Sequence, residues 1–145
     1  MIEFATAQRI IIGRGCLEQI GELAAAFGKK SFVVAGEHLQ KSGELARIEY
    51  LLSKKGFSVE RLLVHGEPEV NLVDEAAARA RVLGSDFIVA VGGGSVLDVG
   101  KAAAGLATNG GSVREYLRAS AVAARCAPVP CPSWPCPPPP APAAR

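Results

Sequence analysis

The run Phe87-Ile88-Val89-Ala90-Val91 leads directly into Gly92-Gly93-Gly94, and Ser95-Val96-Leu97-Asp98-Val99-Gly100-Lys101 follows. No other stretch constrains the chain as tightly. Five apolar residues, three of them Ile or Val, predict a strand covered on both faces. The glycines permit φ > 0 and let another group approach the backbone closely. Ser95 is then placed to cap a helix, with Asp98 three residues on as its capping-box partner. Such a helix aims free N–H groups and the positive end of its dipole at the turn, which makes an anion seat, here for a phosphate. The plainer alternative is a strand-to-helix turn in which Ser95 and Asp98 only cap, and Asp98 and Lys101 pair at i, i+3.

Two familiar phosphate motifs are excluded. A P-loop ending in Gly100-Lys101 needs glycine at position 95 and a hydroxyl at 102, where Ser95 and Ala102 stand. A dinucleotide fingerprint counted from Gly92 needs glycine at 97, where Leu97 stands.

Upstream, strand and helix patterns alternate. The β-branched run Ile10-Ile11-Ile12 predicts a strand within residues 2–12, closed by Gly13 and Gly15. Leu17, Ile20, Leu23, Ala24 and Phe27 recur at helical spacing and stop at Gly28. Ser31 to Ala35 is a second strand, followed by Gly36-Glu37-His38 as its exit. Ser42-Gly43-Glu44 opens a helix through Leu45, Ile48, Leu51 and Leu52. Phe57 to Val64 is a third strand, Val70 to Leu83 a helix, and the helix after the glycine turn runs to about Thr108. Asn109-Gly110-Gly111 precedes a short turn containing Tyr116 and Leu117. This alternation predicts an α/β fold, a Rossmann-like parallel sheet with flanking helices. Gly36, Gly66 and Gly92 to Gly94 would then share the carboxyl edge of the sheet, where ligands of such sheets bind.

The glycine triplet, Ser95, Asp98 and Lys101 resemble the signature of iron-containing alcohol dehydrogenases. Val33 to Gly36 with Leu39 to Gly43, and Gly66 to Val70, are similar to further stretches of that family. The resemblance spans most of residues 4–117. It implies metal-dependent, NAD- or NADP-linked oxidation of an alcohol. Gly93, Gly94 and Ser95 would bind the cofactor pyrophosphate beside Gly92. Asp98 would lie toward the nicotinamide, and Lys101 would be structural. Many members carry Asp at the position of Gly36, where it holds the ribose hydroxyls of NAD. Gly36 leaves room for a 2′-phosphate and so admits NADP, with Lys41 or His38 as sources of charge, although a plain surface role suits both. Related glycine-triplet enzymes, glycerol dehydrogenase and dehydroquinate synthase, usually carry Lys or Val where this chain has Ser95, which favours the alcohol dehydrogenase branch.

Composition breaks abruptly near residue 118. Nine of the ten prolines and three of the four cysteines lie after residue 125, so residues 118–145 are expected to be an irregular, disordered Pro/Ala/Cys-rich tail. Cys126, Cys131 and Cys136 lack a fourth ligand for zinc. A reading-frame shift near residue 118 is the expected source of the tail's Ala, Arg, Pro and Cys content. The family's iron or zinc ligands and its second, helical domain have no counterpart in this sequence. The chain is therefore expected to be a truncated form, inactive alone. The alternatives are a non-catalytic nucleotide-binding module and a gene remnant. Cys16 reads as a small buried side chain, and His38 and His65 as polar residues near loops.

A net charge of +2 gives no broad attraction to nucleic acid or membrane. The N-terminus lacks the pattern of a secretory signal, so a cytoplasmic location is expected. The expected partners are a nicotinamide dinucleotide and, in the intact family, a small alcohol or aldehyde. Homo-oligomerisation stays open, and an exposed apolar face is expected where a second domain would dock.

Overall fold

A computed structural model describes residues 9–119. Arg118 and Ala119, expected to begin the irregular tail, end a helix instead, and the other expectations for the tail, including its three cysteines, lie outside those residues. Three strands, β1 (Lys30–Gly36), β2 (Ser58–Val64) and β3 (Phe87–Val91), form one parallel sheet in the order β2-β1-β3. Val33 lies opposite Arg61 on one side and Val89 on the other, which fixes the register across the sheet.

The chain enters the middle strand first, and period-two alternation of β1 then divides the core. Phe32 and Val34 face Val73, Ala76, Ala77 and Ala80 of α4 (Val70–Val82) and Val96, Val99, Ala103 and Leu106 of α5 (Gly94–Asn109). Val33 and Ala35 face Leu45, Ile48 and Leu52 of α3 (Glu44–Lys54) and Ala24 of α1 (Ile20–Ala24). The alanine-rich face of α4 lets that helix lie close to the sheet and to α5. Gly100 allows the same for α5, since a Cβ there would stand 2.5 Å from that of Ala90.

Several local expectations are corrected. Residues 9–12 are irregular, and Ile10 and Ile12 are 64% and 92% exposed. No strand lies beside them among the described residues, so the β-branched run has nothing to hydrogen-bond to. The first helical stretch divides into a 3₁₀ turn (Cys16–Gln19) and the short α1, leaving Phe27 exposed beyond its end. The exit of β1 is a helix, α2 (Glu37–Ser42), and Gly43 at φ +82° separates it from α3. The segment after Gly111 forms α6 (Val113–Ala119). Its first turn is held by Asp74 of α4, which accepts from Ser112 Oγ at 2.6 Å and Val113 N at 2.8 Å.

The largest correction concerns β3. Among the described residues it is an edge strand, and all five of its residues are only partly buried. Beside it, Ile20, Leu23, Ala24 and Phe27 line an apolar cleft of about 290 Å³ with Phe87, Ile88 and Val89. Among the described residues, no helix is long and apolar enough to cross a membrane.

Candidate functional site at the carboxyl edge of the sheet

The connections leaving β1 and β3 pass to opposite faces of the sheet. β1 continues into α2 and α3, and β3 continues into α5 on the other side. Adjacent parallel strands whose connections diverge leave a crevice between their carboxyl ends, the usual ligand position in open α/β sheets. Gly36 ends one strand and Gly92 follows the other. The register Ala35–Val91 makes them neighbours.

Gly92 has φ +156°, and a Cβ there would lie 2.7 Å from Val96 Cγ2. The first turn of α5 is therefore folded back over the end of β3, an approach only glycine permits. Gly36 lies under the same valine, at 3.4 Å for a built Cβ. Gly93 and Gly94 face open space, with nothing within 4 Å of a built Cβ.

The cap differs from the sequence expectation. The N-cap is Gly93, with extended backbone (φ −75°, ψ −175°), and no side chain caps the first turn. Val96 N and Leu97 N both donate to Gly93 O at 3.1 Å. Ser95 thus sits inside the first turn as a half-buried residue, and the Ser95–Asp98 capping box does not form. The reason is conformational: Gly93 takes the cap position itself, which starts the helix before Ser95. The N–H groups of Gly94 and Ser95 belong to that turn and have no helical acceptor. Asp98 is exposed and pairs with Lys101 at 3.6 Å, an i, i+3 contact worth a few tenths of a kcal/mol on the surface. The fold brings Gly36, Gly92, Gly93, Gly94 and Ser95 together, with Asp98 one turn further along α5.

A second group on this edge was not legible from spacing. Gly36 pairs in register with Val64, so the next residues along, Glu37 and His65, meet. His65 Nδ1 stands 3.3 Å from Glu37 Oε2, and Lys41 Nζ, one turn along α2, stands 2.6 Å from Glu37 Oε1. Hydrogen bonds from Lys41 and then His65 hold the Glu37 carboxyl below the ordinary range. His38, the histidine first weighed as a source of charge here, is exposed on α2. Among the described residues, no three His, Cys, Asp or Glu side chains form a group able to hold a metal ion. These residues do not fit the metal that the resemblance implies.

An open parallel α/β domain with an uncapped, glycine-lined helix start at its switch point is the class of protein that these features define. The family profile described as iron-containing alcohol dehydrogenase matches residues 7–134. The chain belongs to that family. It is 36% identical over 108 residues to long-chain-alcohol dehydrogenase 1 of Geobacillus thermodenitrificans, covering 73% of this chain and 27% of the relative. To the NADPH-dependent butanol dehydrogenase of Clostridium saccharobutylicum it is 33% identical over 104 residues, 70% of this chain and 26% of that one. The crystal structure of NADH-dependent butanol dehydrogenase A from Thermotoga maritima superposes with a TM-score of 0.73 at 29% identity, over 79% of this chain and 30% of that one. The chain spans about a quarter of the length of the curated relatives it matches.

Proposed function

We propose that these residues form the NAD(P)-binding part of an iron-type alcohol dehydrogenase. The dinucleotide's pyrophosphate rests on the turn from Gly92 to Ser95. One observation carries the reading: an uncapped helix start at the switch point, with open space over Gly93 and Gly94. Two free N–H groups and the helix dipole suit a diphosphate, and a Cβ at Gly94 would intrude on it. Gly36 leaves the ribose end open, which admits NADP as well as NAD.

In the proposed reaction the bound nicotinamide would exchange a hydride with an alcohol carbon, and the turn from Gly92 to Ser95 would hold the cofactor's pyrophosphate. This domain's share is to bind and orient the cofactor. Spanning about a quarter of the length of its curated relatives, the 145-residue chain by itself is expected to bind dinucleotide without turnover.

Calorimetric titration with NAD⁺ and NADP⁺ tests the seat. Gly94→Asp should abolish binding by placing a carboxylate against the phosphates, while thermal unfolding stays unchanged, because an acid suits a helix start. Undiminished binding by that variant would remove the seat from the turn. Turnover of short aldehydes by the purified chain with NADPH and Fe²⁺ would overturn the claim that it is inactive alone.

A further inference from the structure

We infer that Lys41 and His65, gathered on the Glu37 carboxylate at the ends of β1 and β2, read the 2′-phosphate of NADP, and that Glu37 holds them in place until it arrives. This rests on the proposed nucleotide seat and specifies which dinucleotide the seat prefers.

Along the carboxyl edge the order is His65, Glu37, Gly92, because β1 lies between β2 and β3. Neighbouring strands stand about 4.8 Å apart. A diphosphate on the start of α5 therefore has its adenosine ribose over the next strand end, at Gly36 and Glu37. This is the relation seen in dinucleotide-binding sheets generally, where the strand beside the glycine turn carries the group that meets the ribose 2′ position.

An acid alone at that place would accept from a 2′-hydroxyl. Here the acid is already occupied by Lys41 at 2.6 Å and His65 at 3.3 Å. Lys41 supplies a cation and His65 a ring nitrogen, and a phosphate monoester carries roughly −1.5 to −2 charge and three acceptor oxygens. It can take both donors at once in charge-assisted hydrogen bonds. The side chains of Lys41 and His65 are 70% and 65% exposed, so they can transfer from carboxylate to phosphate without repacking the core. Gly36 adds no side chain in the way. Glu37 keeps the two bases positioned, but its negative charge also competes with the incoming phosphate.

The test is calorimetric titration of the full chain and three variants with NAD⁺ and NADP⁺, which differ only in that phosphate. Lys41→Met and His65→Gln should each weaken NADP⁺ binding about threefold and leave NAD⁺ within error, as exposed charge contacts allow. Glu37→Gln should tighten NADP⁺ by about the same factor. Equal effects on both dinucleotides, no effect at all, or a wild-type chain that takes NAD⁺ but not NADP⁺ would each overturn the inference and leave the nucleotide seat standing. Loss of NAD⁺ affinity in Glu37→Gln would instead make Glu37 a reader of the ribose hydroxyls. A wild-type chain that binds neither would bring down the seat and this inference together.

Discussion

β1 and β3 are nearly the same string, Ser31-Phe32-Val33-Val34-Ala35 and Phe87-Ile88-Val89-Ala90-Val91. They have opposite fates. Phe32 to Ala35 are fully buried, each at 0% exposure, whereas every residue of β3 stays half-exposed. β1 has a strand on each side and helices on both faces. Among the described residues, β3 has a strand, β1, on one side only. Its helical cover is α5 on one face, and on the other the short α1, with the apolar cleft between. An apolar run therefore reports that a strand is meant to be covered, and the neighbours decide whether it is. The exposed face at β3 is the kind expected where further structure docks.

Paired substitutions test that contrast most strongly. Phe32→Ala should cost about 3–5 kcal/mol in chemical denaturation, because the ring is enclosed and Arg79 lies over it at 5.7 Å. Phe87→Ala should cost roughly half as much, its ring touching Phe57 edge-on at 5.7 Å and Phe27 at 6.2 Å. Equal losses would mean that β3 is covered in solution. Next, Gly100→Ala should cost about 1–3 kcal/mol by forcing α5 away from Ala90, and Ala90→Gly should partly restore it.

A smaller effect comes from Asp86, which ties the start of β3 to that of β1. It accepts from Lys29 N at 2.7 Å and Lys30 N at 2.9 Å, bonds that hold its carboxyl below the ordinary aspartate value of 3.8. Its folded pKa is depressed, so its contribution is present above that value and is lost as pH falls through the folded one. Acid titration should show Asp86→Asn with a shallower fall in stability below about pH 4 than the wild type. Asp74, lowered chiefly by its bond from Ser112 and then by Val113 N, should behave likewise for α6. Smallest of all, Lys101→Met should shift stability by less than about 0.5 kcal/mol, the Asp98 contact being solvated.

Much of the candidate site was legible because it is local. Three glycines after a strand and before a helix specify a tight turn and an open helix start whatever surrounds them. The Ser95 cap was misread because the residues that follow Gly93 fit either start, and Gly93's own backbone settles it. His65 was passed over because its meeting with Glu37 depends on the pairing of β1 with β2, which brings residues 28 positions apart into contact.

By itself, the sequence determined the alternation of strand and helix, the parallel sheet and the glycine turn after Val91, since propensity and period act over a few residues. Only the tertiary structure decided that β1 is central and β3 peripheral, that Gly36 borders Gly92, and that Lys41 and His65 share one carboxylate. Strand order and register arise from long-range packing, and no pattern within a single strand encodes which neighbour it will have.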